Sequence, residues 1–244
     1  MYIRVSFIKG ELVQKETLST HPMAMNIPGF DLTSFLKFTM NPTDTQSILD
    51  VQKSMLGAPN RAQMINGALE SIDAAENFKE LYKKHYMPDF PSTQKLLAYN
   101  KDTLGFAVGK HLNDNSIELD FAGLDVSMFY SKDMSPLAYF GIRGIRTHDI
   151  LHALLGLGVT PVDEYTVATF TLAQFKSPYH MVLVSSGYIH TAFYEPEQIG
   201  NFLKSIHKYY ELGMKAEFVM GYPFEDNFAT PLADVRKALK LEKE

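Results

Sequence analysis

Apolar residues recur every three or four positions along most of the chain, the spacing that places side chains on one face of an α-helix. The steps from Ile48 to Val51 and Met55 form one such stripe. Sustained alternation of apolar and polar residues, typical of half-buried strands, is nearly absent. Side-chain caps, prolines at first helical positions and glycine stops set the boundaries of the expected helices. They cover residues 32–38, 44–56, 60–71, 73–85, 91–99, 103–111, 136–155, 160–175, 179–193, 195–212 and 233–241.

This pattern predicts an all-α protein with one domain. No internal repeat or low-complexity linker divides the chain, and glycine and proline are spread evenly. Residues 1–30 carry few helix signals and are expected to form an irregular N-terminal arm, whereas residues 31–244 form a single multi-helix bundle. Within the bundle, residues 112–132 are expected to be loop-like.

The composition excludes several classes of function. The 244 residues contain no cysteine, which rules out disulfides, thiolate metal sites and a cysteine nucleophile. A net charge of −5 without a basic block disfavours a nucleic-acid binder. No window reaches the about 18 apolar residues of a membrane span. The first residues resemble neither a signal peptide nor an organellar transit peptide, so we expect a cytoplasmic protein.

Histidines offer the first candidate chemistry. Of the eight histidines, only His148 and His152 stand at the spacing of metal ligands on a helix. A four-residue step is about 6 Å of rise and about 40° of rotation, so both imidazoles share one face. Asp149 lies about 60° from His152 around the same helix, within reach of that face.

A fourth donor, Glu164, follows the break at Gly156 and Gly158. A short connection makes consecutive helices neighbours, which places Glu164 near the end of the preceding helix if Thr160 caps the next one. Two imidazoles and two carboxylates suit Zn²⁺, Fe²⁺ or Mn²⁺. Fewer than six ligands would leave positions open for water or substrate, the arrangement of a catalytic metal site.

Two other interpretations of these residues stay open at this stage. A histidine pair at this spacing also arises by chance, and a buried histidine commonly just hydrogen-bonds the backbone. An adjacent His-Asp is also found in HD-type phosphohydrolases, which add an earlier histidine and a later aspartate. His111 and Asp163 are the residues that could take those two places, although nothing in their context favours this.

The motif and its surroundings resemble a known family. His148-Asp149-Ile150-Leu151-His152 is followed after eleven residues by Glu164. This is similar to the His-Asp-x-x-His…Glu signature of the Coq4 family of coenzyme Q (ubiquinone) biosynthesis proteins. The likeness covers roughly residues 40–240. It includes several shorter segments: Asn41-Pro42, Thr103-Leu104-Gly105, Leu137-Ala138-Tyr139-Phe140, Phe224-Glu225, Pro231-Leu232 and Val235-Arg236.

The resemblance implies an all-α fold with a divalent metal bound by one set of four residues: His148, Asp149, His152 and Glu164. Zinc is the usual proposal, and iron, manganese and magnesium are alternatives. A hydrophobic groove for a polyprenyl tail is also implied. The seventeen Phe, thirteen Tyr and twelve Met could line such a groove, but they suit an aromatic-rich helical core equally well.

The resemblance also implies an activity and partners. The activity is metal-dependent oxidative decarboxylation of a polyprenylated 4-hydroxybenzoate-type precursor, in which a hydroxyl replaces the carboxyl at ring carbon one. A non-catalytic polyprenyl-lipid-binding scaffold that organises quinone-biosynthesis enzymes is the alternative. The expected partners are the polyprenylated quinone precursor, other ubiquinone-biosynthesis proteins, the inner face of the cytoplasmic membrane as a peripheral attachment site, and a second copy of the chain.

The chain departs from the family just before the His-Asp pair, where Ile145 stands in place of an Arg and Arg146 in place of a Glu. The family often has Arg-Tyr-Arg-Glu before the His-Asp pair, and the aligned residues here are Arg143-Gly144-Ile145-Arg146. Either arginine could pair with a substrate carboxylate. However, they lie about 140° and about 160° from His148 around the helix, so solvated or salt-bridged side chains are the simpler expectation. The altered residues next to the motif indicate a divergent member of the family, and we expect that it could act on a different ring substrate.

Overall fold

The main body of the protein is helical, which confirms the all-α, single-domain prediction. The structure, a computed structural model, describes residues 3–8, 11–16, 30–117 and 135–242. Eleven α-helices lie within these ranges: α1 (Leu32–Met40), α2 (Thr45–Leu56), α3 (Arg61–Ala74), α4 (Glu76–Lys83), α5 (Thr93–Leu97), α6 (Leu104–Asp114), α7 (Pro136–Leu155), α8 (Pro161–Phe175), α9 (Pro178–Tyr194), α10 (Ile199–Lys215) and α11 (Leu232–Ala238). Short 3₁₀ helices cover Pro196–Gln198, Val219–Gly221 and Phe224–Asn227.

The predicted start and end signals are present at α7 and α8, the two helices that carry the His-Asp-x-x-His…Glu motif. Ser135 caps α7, with Pro136 at the first helical position. Gly156 ends α7 in the left-handed region, at a φ of 69°, where a residue without a Cβ is favoured. Thr160 and Asp163 form a reciprocal capping box at the start of α8, next to Pro161.

Some boundaries differ from the sequence prediction. The third helix runs to Ala74 and the fourth covers only Glu76–Lys83, while α5 is reduced to Thr93–Leu97. The segment predicted to open the tenth helix forms the 3₁₀ helix Pro196–Gln198 instead. The loop predicted over 112–132 begins later than expected, because α6 continues to Asp114. Residues 118–132 of this predicted loop lie outside the described residues.

The N-terminal arm contains regular structure where an irregular segment was expected. Strands β1 (Ile3–Ile8) and β2 (Glu11–Glu16) pair antiparallel, with Ile3 opposite Glu16 and Ile8 opposite Glu11. The signal is present in the sequence, because apolar and polar residues alternate along β1 and a Lys-Gly pair separates the strands. The proposed division at residue 30 stays a prediction, since residues 17–29 are not among those described.

The apolar helix faces pack into three clusters. The largest gathers buried residues of α4, α6, α7 and the end of α8, with Phe78, Tyr139 and Phe170 each fully buried. The second joins α1 and α2 to the start of α8 and to α10, through residues such as Phe38 and Val51. The third is small and joins α8 to α9. Among the described helices, none is both long enough and apolar enough to cross a membrane.

Candidate metal centre

The turn between α7 and α8 brings the motif residues from both helices together. The backbone N–H of Leu157 donates to the carbonyl of His152 (2.9 Å), which closes the last turn of α7. Four residues later Pro161 opens α8, so Glu164 lies in its first turn. The side chain of Glu164 therefore reaches the two imidazoles of α7, as the sequence predicted.

Three side chains converge on one point. The Nε2 atoms of His148 and His152 are 3.2 Å apart. One carboxylate oxygen of Glu164 lies 3.3 Å from Nε2 of His148, and the other lies 3.5 Å from Nε2 of His152. One ligand atom from each side chain can be chosen such that all three lie within 4.8 Å of one another.

His152 is the fixed member of this group. Its side chain is fully buried, and its Nδ1 lies 2.6 Å from the carbonyl oxygen of Gly158. Because a carbonyl can only accept, Nδ1 carries the proton, and Nε2 presents a lone pair toward His148 and Glu164. A backbone anchor of this kind on the distal nitrogen is typical of histidine metal ligands.

The spacing of the donor atoms fits a metal ion. Ligands about 2.0–2.1 Å from a tetrahedral zinc ion lie about 3.3 Å from one another. The two imidazole nitrogens, 3.2 Å apart, match that value, and a different oxygen of Glu164 lies near each of them, 3.3 Å from His148 and 3.5 Å from His152. The side chain of His148 is 45 % exposed, whereas that of His152 is buried. The centre is therefore open to solvent on the His148 side, where an exchangeable ligand would enter.

The contact between Glu164 and His148 favours the charged form of both side chains. Burial by itself would raise the pKa of Glu164, but the imidazoles of His148 and His152 beside the carboxylate hold it well below its ordinary value. Loss of solvation over the covered part of the His148 ring would by itself lower its pKa, yet the contact with Glu164 raises the pKa above its ordinary value. The carboxylate is thus ionised at neutral pH, the state in which it can bind a cation.

Asp149 is not part of the converging group. Its carboxylate oxygen Oδ1 lies 3.7 Å from Nε2 of His111, a residue of α6. The ring of His111 in turn stacks on His152, with 5.2 Å between centroids and 19° between planes. His111 is therefore a neighbour of the centre that sequence spacing did not reveal, because it lies on a different helix.

The other residue of the phosphohydrolase alternative lies elsewhere. The Asp163 carboxylate accepts hydrogen bonds from the backbone N–H and the hydroxyl of Thr160, at 3.3 and 2.7 Å. This carboxylate caps α8 and is not among the donors that converge with the imidazoles. The structure therefore offers no phosphohydrolase set built on His111 and Asp163.

The structure does not bring the two arginines to the centre. Arg143 is fully buried and donates to Glu225 (2.6 Å) and to the carbonyl of Tyr222 (3.0 Å). Arg146 donates to the carbonyl of Pro88 and lies 3.7 Å from the same Glu225. Both guanidinium groups thus serve an internal ion-pair cluster on another face of α7, and their proposed contact with a substrate carboxylate has no support in this geometry.

Comparison with known proteins indicates the same family as the motif does. Residues 81–244 match the family described as coenzyme Q (ubiquinone) biosynthesis protein Coq4. A curated Paramecium tetraurelia protein named ubiquinone biosynthesis protein COQ4 homolog 2, mitochondrial, is 28 % identical over 159 residues, which are 65 % of this chain and 73 % of the relative.

A solved structure has a similar fold. A Nostoc punctiforme protein, crystallised at 2.85 Å resolution and named as a candidate ubiquinone biosynthesis protein, superimposes with a TM-score of 0.69. The match covers 88 % of this chain and 98 % of that one, at 18 % sequence identity. At this identity the comparison supports the fold alone.

Proposed function

Because this chain is a divergent member of the Coq4 family of coenzyme Q (ubiquinone) biosynthesis proteins, and so acts in ubiquinone biosynthesis, we propose that it is a metal-dependent enzyme of that process. Its reaction is the oxidative decarboxylation of a polyprenylated 4-hydroxybenzoate-type precursor. The single observation that carries the metal assignment is the convergence of His148, His152 and Glu164 at ligand spacing.

The proposed reaction breaks the bond between ring carbon one and the carboxyl carbon and forms a ring–oxygen bond, with release of CO₂. With water as the oxygen donor, the precursor loses two electrons and two protons, which an external two-electron oxidant such as dioxygen must accept. A divalent metal, zinc in the first place, would supply Lewis-acid polarisation of the substrate's carboxylate or phenolate.

The chain's own residues have distinct tasks in this proposal. His152, buried and anchored on Gly158, fixes the geometry of the centre. Glu164 contributes the negative charge that offsets a cation, and the partly exposed His148 lies on the side from which a substrate reaches the centre. Because Arg143 and Arg146 are engaged by Glu225, recognition of the substrate carboxylate falls to the centre itself.

Metal analysis combined with genetic rescue tests this function. We expect about one divalent metal per chain after purification without chelators, and its loss in His152→Ala. The variant should fail to restore quinone synthesis in a strain that lacks its own family member. His207→Ala is the matched control, because His207 is 79 % exposed and pairs only with Glu211 among its described contacts. Full rescue by a metal-free His152→Ala protein would refute the enzyme proposal.

A lipid-binding scaffold is the second candidate, and one observation favours it. Large apolar side chains are exposed on α9 and α10, including Met181, Tyr188, Phe193, Leu203 and Met214. Such surfaces suit a polyprenyl lipid, a membrane surface or other ubiquinone-biosynthesis proteins. Mass spectrometry of co-purifying lipids separates the two functions: a prenylated aromatic carboxylate supports the enzyme, whereas phospholipid alone supports the scaffold.

A further inference from the structure

The pair of His111 and Asp149 lies directly behind the proposed metal ligands and has no role in the function proposed so far. His111 belongs to α6 and is 8 % exposed, while Asp149 belongs to α7. Among the residues that the structure describes, Nε2 of His111 has no hydrogen-bond partner, and its closest charged neighbour is Asp149 at 3.7 Å. A buried ring nitrogen without a partner is uncommon and requires a reason.

The position of His111 provides such a reason. Asp149 and His152 are three residues apart on α7, so they are neighbours on one face of the helix. The imidazole of His111 spans both of them: its ring stacks on His152 and its Nε2 faces the carboxylate of Asp149. One histidine from another helix therefore contacts a proposed ligand and the acidic residue next to it.

Two contacts act on different parts of the His152 ring. The hydrogen bond from Nδ1 to Gly158 fixes one edge of the ring, but rotation about that bond would still move Nε2. Stacking with His111 at 19° between planes restricts this rotation. His148, whose ring lies at 73° to that of His152, contacts the edge and not the face.

The carboxylate of Asp149 is not among the donors that converge. The three donors within 4.8 Å of one another come from His148, His152 and Glu164. Asp149 instead has its carboxylate oxygen Oδ1 3.7 Å from Nε2 of His111. Its negative charge still lies close to a bound dication, and together with Glu164 it would balance two positive charges.

We infer that His111 is a positioning residue of the metal centre, which holds His152 by stacking, and that Asp149 is its charged partner outside the ligand set. This inference rests on the proposed metal function. The centre then has three protein ligands and not four. The remaining coordination positions are open to solvent and substrate.

Titration of chelator-treated protein with Co²⁺, followed by its visible absorption bands and by competition with a chromophoric chelator, tests this assignment. We expect Asp149→Asn and His111→Ala to bind one Co²⁺ per chain with about 10–100-fold weaker affinity, the usual effect of changing an outer partner. His111→Phe keeps an aromatic ring for stacking and should retain more affinity than His111→Ala. Glu164→Ala, which removes a ligand, should lose stoichiometric binding, and His207→Ala should match the unchanged protein.

The outcomes distinguish this inference from the function on which it rests. If the unchanged protein binds no Co²⁺, the metal centre itself is wrong. If it binds Co²⁺ but Asp149→Asn loses stoichiometric binding as Glu164→Ala does, Asp149 is a ligand and the inference is wrong. Identical affinity and absorption bands in His111→Ala and the unchanged protein would also overturn it. Circular dichroism of each variant verifies that the helices have formed.

Discussion

Replacing Arg143 by Met should destabilise the protein strongly without involving the substrate. The guanidinium of Arg143 is fully buried, donates to Glu225 and Tyr222, and lies 5.5 Å from the centre of the Tyr86 ring. The side chain of Glu225 is only 2 % exposed. The substitution therefore leaves a buried carboxylate without its main partner.

The size of the effect follows from the burial of this pair. Removing one member of a buried ion pair costs about 3–5 kcal/mol. Arg146, 3.7 Å from the same carboxylate, compensates in part, so we expect about 3 kcal/mol, the lower end of that range. For a chain of this size about 1 kcal/mol corresponds to about 2–4 °C, which gives a decrease in Tm of about 6–12 °C.

Thermal unfolding followed by circular dichroism at pH 7 measures this effect. Arg61→Met is the matched control, because Arg61 is exposed at the start of α3, and its Tm should change little. Combining Arg143→Met with Glu225→Leu should restore part of the lost stability, since no buried carboxylate then remains. The reasoning is refuted if Arg143→Met keeps the Tm of the unchanged protein and loses only quinone synthesis, since Arg143 would then contact substrate.

The metal centre and the packing beside it give three further tests. Zn²⁺ at about 100 times its Kd should stabilise chelator-treated protein by about 2.7 kcal/mol, seen as a higher Tm that Glu164→Ala abolishes. Without metal, the raised pKa of His148 stabilises the fold below its ordinary value of 6.5 and the lowered pKa of Glu164 stabilises it above 4.5. The difference in Tm between the unchanged protein and Glu164→Gln should therefore be largest between pH 4.5 and pH 6.5. It should decline as the pH rises above or falls below that range. Gly187→Ala should cost about 1–3 kcal/mol in chemical denaturation, because its Cβ would stand 2.6 Å from Cγ of Tyr165.

Each of these tests has a result that contradicts it. Equal stabilisation of Glu164→Ala by Zn²⁺ would mean that the metal binds elsewhere. A Tm difference that does not vary with pH would mean that the ion pair does not contribute to the metal-free fold. For the glycine, Gly200→Ala is the control, because no atom outside its own helix backbone lies within 4 Å of a Cβ there; equal stability of the two variants would refute the packing argument.

The features that sequence analysis predicted well are those decided by neighbouring residues. The boundaries of α7 and α8 follow from Ser135, Gly156 and Thr160, each of which acts on backbone groups within one turn. The shared face of His148 and His152 follows from helix geometry in the same way. The strand pair of the arm was also encoded locally, by the alternation along β1, and it could have been predicted.

The features that only the tertiary structure decided involve side chains that are distant in sequence. Arg143 meets Glu225 from 82 positions away, and His111 reaches Asp149 from another helix. Their contacts depend on how α6, α7 and the C-terminal segment pack, which no local period specifies. The sequence by itself thus determined which residues could bind a metal. The packing of the helices decided that Glu164 faces the two imidazoles while Asp149 faces His111, because a side chain's neighbours are set by helix orientation and not by helix periodicity.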